Sequence, residues 1–348
     1  MLAVVGCCYL LLTPGNAFSS DIRPPKDLRA WAAAFMASVA LSHVWWVVFG
    51  IFWLHEDRLV RNAVAIMLDS VTLMPCMMAV LLRMLQDRKR PLWLIALAMI
   101  PVVVVVVVCI FIRCGAFERI LQIYLIALAV IFVVYYIRAV RQYGQWLLDN
   151  YADLERKEVW QSLLAITGIL LIFIAYKVNY GGMLMEYVTQ INTLVIIGIL
   201  LWRVETLQAL ESAAPQANTG ALPMAIADHI SAMLKERCEG KQLYLQHDMT
   251  LAQLASVIET NRNYLSSYFA EQGMTYNNYI NRLRIDHFIS LYREATEGKQ
   301  SIKALRLAER SGYHSYSTFS AAFKRITGFT VTDWMKNETV STETVAGE

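Results

Sequence analysis

The sequence predicts an all-α protein: a polytopic transmembrane helical bundle followed by a soluble helical domain with two helix-turn-helix motifs. Three observations predict it. Of the 348 residues, 57% are hydrophobic, more than an ordinary soluble chain carries. Apolar runs of about 20 residues recur until residue 205. Beyond residue 222 the chain turns polar and periodic, and one pattern within it occurs twice.

The six long runs are Leu28 to Leu54, Asn62 to Leu85, Leu92 to Ile112, Ile120 to Ile137, Trp160 to Val178 and Leu184 to Trp202. Helices of that length cross the ~30 Å hydrocarbon core of a bilayer. They lack the polar face that a soluble helix keeps. Met1 to Leu12 is shorter, ~18 Å as a helix, and Pro14 and Gly15 follow it. It reads as a seventh span, an interfacial segment, the remnant of a longer N-terminus or a signal peptide. The basic stretches are Arg23 to Arg29, Arg83 to Arg90 and Arg138 to Lys157, and the positive-inside rule puts them in the cytoplasm together with everything after Trp202. Cleavage of a signal would invert that order, so the expected topology is six spans with the N-terminus inside or seven with it outside. The expected location is a bacterial inner membrane, with the C-terminal domain in the cytoplasm.

The expected division is a membrane sensor or anchor over 1–205, a linker over 206–221, a helical domain over 222–338 and a disordered tail over 339–348. The Ala-, Pro-, Gln-, Thr- and Gly-rich composition of Ser212 to Ala221 carries the linker reading. Its reach is only ~18 Å, so the domain works close to the membrane surface.

Within that domain LASVIETNRNYLSSYF (Leu254 to Phe269) and LAERSGYHSYSTFSAAF (Leu307 to Phe323) resemble each other. Each has a Leu-Ala pair on a short helix, a turn, and a second helix with apolar residues four apart: Leu265 and Phe269, then Phe319 and Phe323. Ala255 and Ala308 let the paired helices pack closely. Gly312 suits a turn position with positive φ, and Glu259 occupies the matching place in the first copy at a conformational cost. Both copies close with glycine and threonine, Gly273 with Thr275 and Gly328 with Thr330, which fits a helix end followed by a new N-cap. A single helix from Tyr276 to about Ala295 would be ~30 Å long, near the ~34 Å turn of DNA. It would space the two copies on one face of a duplex.

On these residues, with the Asn281 to Arg284 run and the Gly-Tyr at Gly312, the last third of the chain resembles the DNA-binding domain of AraC/XylS-type transcription regulators. It departs from that family at Glu259, at Val331, where proline is usual, and at Ala321, where arginine is common. The resemblance implies that each second helix enters the major groove of double-stranded DNA. It makes Arg262, Asn263, Ser266 and Ser267 in the first copy and Ser315, Tyr316, Ser317 and Ala321 in the second the base-reading candidates. An Arg–guanine or Asn–adenine pair discriminates by ~1–3 kcal/mol. Arg282, Arg284, Lys324 and Arg325 are the phosphate candidates; Arg282 and Arg284 could instead pair internally with Asp286. His314 could read or cap a turn. Tyr264, Tyr268 and Trp334 read as core. The resemblance also implies RNA polymerase as a partner, and dimerisation would strengthen binding by a domain whose charge is nearly balanced.

In the membrane part, Asp69 lies inside an apolar run and is the sensing candidate, since an ionisable group there is expensive. Trp45, Trp46, Trp53 and His55 cluster toward the outer end of the first long run, and an aromatic belt accounts for the tryptophans. Gln190, Asn192 and Thr193 could bond across helices or line a cavity. The six cysteines are scattered without metal spacing and read as reduced thiols. No nucleophile triad, phosphate loop or metal motif occurs, so neither an enzyme nor a cofactor is expected. The signal itself is not written in the sequence. A transporter with a regulatory tail, or a membrane scaffold whose helix-turn-helix binds protein, are the alternative classes.

Overall fold

The computed structural model describes residues 1–13, 24–52, 58–112, 118–154, 157, 159, 183–210, 222–298 and 303–345. It is all-helical among them, apart from one isolated bridge between Tyr151 and Thr250. The chain divides into two compact units, Met1–Tyr143 with Arg156–Ala214, and Gly144–Glu155 with Pro215–Glu348.

The first unit contains α1 (Leu2–Leu12), α2 (Lys26–Phe52), α3 (Arg58–Met84), α4 (Trp93–Ile112), most of α5 (Glu118–Asn150) and α6 (Met183–Thr206). The run Trp160 to Val178 lies outside the described residues, as do Trp53, His55 and the side chain of Trp46. Helix α1 packs against α2 and α6: a Cβ on Gly6 would stand 2.6 Å from Met36 Sδ and 3.5 Å from Leu201 Cδ1. Polar groups tie the same three helices. Tyr9 donates to Glu205 at 3.1 Å, Arg29 approaches the same carboxylate at 3.7 Å, and Arg29 also donates to the carbonyl of Thr13. Met67, Met99, Val102, Val106 and Leu121 join α3, α4 and α5 in an apolar cluster.

Aliphatic side chains also cover the outside of this unit. Leu97, Ile100, Val104, Ile123, Val130 and Ile131 are all more than half exposed, on a scale that soluble monomers rarely show. Among the described residues, two helices are long and apolar enough to cross a membrane, over Met67–Met84 and Ile120–Asn150.

Three boundaries differ from expectation. The fourth run does not stop at Ile137: α5 is one helix of 33 residues, so Arg138 and Arg141 extend a helix rather than occupying a loop, and the end of α5 belongs to the second unit. The linker begins later than residue 206, because the Gln86 amide donates to the Gln208 carbonyl and accepts from the Leu210 N–H; positions 211–221 lie outside the described residues. The tail expected from residue 339 is helical as far as Val345, started by Thr330, whose hydroxyl accepts from the Asp333 N–H at 3.2 Å.

The second unit contains α7 (Met224–Met233), continued by a π-turn, a 3₁₀ turn at Leu243–Leu245, then α8 (Leu251–Val257), α9 (Arg262–Glu271), α10 (Tyr276–Glu297), α11 (Ala304–Arg310), α12 (Tyr316–Thr327) and α13 (Val331–Val345). Two apolar cores divide it. Leu254, Ala255, Leu265, Phe269, Tyr276 and Ile280 are in one, and Phe288, Leu307, Ala308, Phe319, Phe323 and Val331 in the other. Helix α10 supplies its first half to one core and its second half to the other.

The two turns are conformational copies. After α8, the Thr260 N–H reaches the Ala255 carbonyl and the Glu259 N–H reaches that of Ser256; after α11, Tyr313 and Gly312 do the same with Ala308 and Glu309. Both are Schellman ends, with Glu259 at φ 58° and Gly312 at φ 89°. The ion pair of Glu259 with Arg237 at 2.8 Å accompanies the strained backbone. At Gly312 a side chain would fail outright, since a Cβ would lie 2.9 Å from both Leu245 Cα and Leu245 O. At Gly328, also left-handed, the space is open. Thermal unfolding should therefore register a loss of roughly 2–4 kcal/mol for Gly312→Ala, from strain plus overpacking. For Gly328→Ala it should register about 1–2 kcal/mol, from strain alone. Equal losses would mean that the Leu245 loop yields.

Candidate nucleic-acid interface

Helices α9 and α12 occupy the place of recognition helices, and both are held at their N-termini by side-chain caps. Asn261 Oδ1 accepts from the Tyr264 N–H at 2.8 Å, and Ser315 Oγ accepts from that of Thr318 at 3.3 Å. Capping fixes the first turn, whose residues reach base edges in helix-turn-helix readers. Between the two, α10 has 22 residues, about 33 Å at helical rise.

The second reading helix presents the more open face. Ser317 and Ala321 are exposed and four apart, and Lys324 and Arg325 are exposed beyond them. Tyr316 is 38% exposed, its ring tilted against Phe319. Ser315 caps the helix: besides the Thr318 N–H, its hydroxyl meets those of Ser317 and Thr318 at 3.1 and 2.9 Å. Arg325 donates to Asn277 Oδ1 at 2.8 Å.

On the first helix, Asn263, Ser266 and Ser267 are half-buried. Arg262 is engaged: its Nε donates to Asn150 Oδ1 at 2.9 Å, and its Nη2 donates to the same oxygen. Burial holds its guanidinium below the ordinary arginine range.

Among the phosphate candidates Arg284 is corrected. It is 1% exposed, its Nε donates to the Tyr244 carbonyl at 2.7 Å and its Nη2 to those of Gln246 and His247, and it lies over the Tyr313 ring at 5.5 Å. Nothing of it is offered to a phosphate. Arg282, two residues away, is exposed, and its charge partly offsets the upward push that burial gives the Asp286 carboxyl. The two neighbouring arginines point to opposite fates because a helix turns ~200° in two residues.

Three aromatic expectations separate. Trp334 is half-buried against the second core, packed on Phe323 and Tyr292; Tyr268 is half-buried against Phe269; Tyr264 is 37% exposed and is no core residue. His314 is exposed, its ring edge-on to His247. In the first unit, Asp69 accepts a hydrogen bond from the Trp45 indole at 3.0 Å. Among the described residues no group of His, Cys, Asp or Glu could hold a metal ion, and Cys7, Cys8, Cys76 and Cys238 are free thiols. Burial pushes the Cys238 thiol up to about 12, which leaves it unreactive at neutral pH.

Sequence reasoning missed Asn277 and Asn281, both buried. They hold backbone rather than bases: Asn277 Nδ2 donates to the carbonyls of Tyr151 and Ala152, and Asn281 Nδ2 to those of Ala152 and Asn277. Pairs of asparagines one turn apart on α10 were the available signal, and nothing local says what they hold.

Two capped helices in the recognition position, joined by a helix about one DNA turn long, define a double helix-turn-helix domain. Residues 241–337 match the family model described as a helix-turn-helix domain. Neither the curated proteins nor the solved structures contain a match to the chain.

Side chains at the helix start and end should differ in what they do to DNA. Lys324→Ala should weaken binding to all sequences alike and lower the salt slope by about one. Arg262→Ala should relax the preference at one base position. A uniform loss across sequences would make Arg262 a phosphate contact.

Proposed function

We propose that this chain is a membrane-anchored bacterial transcription regulator, which holds a double helix-turn-helix reader at the cytoplasmic face and senses a signal through its spans. The observation that carries the reading is the coexistence, in one chain, of the AraC-type DNA-binding domain and a helical unit whose outer surface is aliphatic. Lipid is the environment in which such a surface is stable. The basic segments beside the apolar runs support a cytoplasmic reader, and the short linker keeps it near the membrane.

In this reading Arg262, Asn263, Ser266 and Ser267 address one major-groove segment and Tyr316, Ser317 and Ala321 the next. Lys324, Arg325 and Arg282 meet phosphates. The second reader offers small side chains, so base discrimination leans on the first. A homodimer on paired sites compensates for the nearly balanced charge of the domain, and RNA polymerase is the partner through which occupancy becomes transcription. Asp69 with Trp45 is the candidate sensing point, a polar contact between α2 and α3 at a depth where such contacts are costly. The protein binds and switches; it has no catalytic role.

Two measurements test this. The full chain in detergent, used for genome-wide DNA capture at stated salt, should enrich a small set of sites with two half-elements about one helical turn apart; no enrichment would favour a scaffold that binds protein. A reporter active only outside the cytoplasm, fused after Trp202, should be silent. Activity there would overturn the topology.

A further inference from the structure

Helix α5 ends at Asn150, and the next three residues are built into the second unit. Tyr151 makes an antiparallel bridge to Thr250, the N-cap of α8. Ala152 is 2% exposed within the first core, and Asp153 is buried where its charge acts on Arg284. Asn277 and Asn281 hold the carbonyls of 151 and 152. Asn277 Oδ1 in turn receives Arg325 from the second reading helix, so one side chain connects the segment to that helix.

The same segment closes on Arg262. Asn150 Nδ2 donates back to the Trp146 carbonyl at 2.6 Å, which aims its Oδ1 at the guanidinium. Both Nε and Nη2 of Arg262 end on that oxygen. A guanidinium can grip a guanine through its Nε/Nη2 edge or its Nη1/Nη2 edge. Asn150 occupies the Nε/Nη2 edge, so the segment must leave before Arg262 can present that edge to a base.

We propose that Asn150–Asp153 is an internal ligand of the DNA-binding domain, seated in a cleft made by Asn277, Asn281 and the start of α8, and that its seating competes with base reading through the Nε/Nη2 edge of Arg262. The inference rests on the proposed DNA-binding function. The segment is the direct continuation of α5, whose Ile120–Ile137 stretch is a candidate span, so the ligand is covalently attached to the part of the chain in contact with lipid. Unseating it frees Arg262 and the Arg325-bound asparagine together.

The test uses the full chain in lipid nanodiscs, with hydrogen exchange at residues 150–153 and affinity for a DNA site enriched by capture. Amides of 151–153 should be protected without DNA and lose protection when it is added. Asn150→Ala removes the oxygen that holds Arg262, and should tighten DNA binding about tenfold. Asn150→Asp places a carboxylate there and should weaken it by a similar factor. Opposite directions separate a competitor from a structural strut, for which both variants would weaken binding. Absence of protection overturns the docking. Protection with affinities unchanged or both weakened overturns the competition alone, and protection with no DNA binding by any of the three chains overturns the DNA reading and the competition with it.

Discussion

The buried guanidinium of Arg284 organises the DNA-binding domain. A charge withdrawn from water is stable only where donors and acceptors are matched, and here the carbonyls of Tyr244, Gln246 and His247 receive it while Tyr313 covers its face. Those carbonyls belong to the loop before α8, the arginine to α10, and the tyrosine to the turn of the second motif. One side chain thus fixes the long helix against both halves. The same grip brings the Leu245 backbone onto the second turn, which is why that turn needs glycine while the first accepts Glu259.

The parts that were legible in the sequence are those written in local chemistry. The repeat set the two helix pairs and their apolar faces, and Leu265, Phe269, Phe319 and Phe323 are all buried. Thr275 and Thr330 cap the helices that follow them, and Glu259 shares the left-handed conformation of Gly312. Val331, standing where the related family has proline, opens α13 with its side chain buried.

Other features depended on partners distant in sequence. Helix phase sets Arg284 in line with buried Ile280 and Phe288 and turns Arg282 away; what receives the buried guanidinium is three carbonyls some forty positions earlier. Serine suits both a groove and a cap, and at Ser315 the cap shows only in the position of the Thr318 N–H. The polar end of α5 resembled a loop between spans, since Arg138 and Arg141 interrupt the apolar pattern. Its further residues acquire meaning only from Asn277 and Asn281, more than a hundred positions on.

The position of Asn150 in the same polypeptide as Arg262 has a consequence for dosage. A separate inhibitor would be titrated away as more regulator is made, whereas a ligand carried by the chain has an effective concentration set by geometry alone. Each molecule brings its own competitor at fixed stoichiometry. The fraction of readers open at rest is then an intrinsic equilibrium constant, indifferent to copy number, and DNA affinity is scaled by that fraction. Raising expression would raise the leak in proportion without changing the ratio between resting and released states.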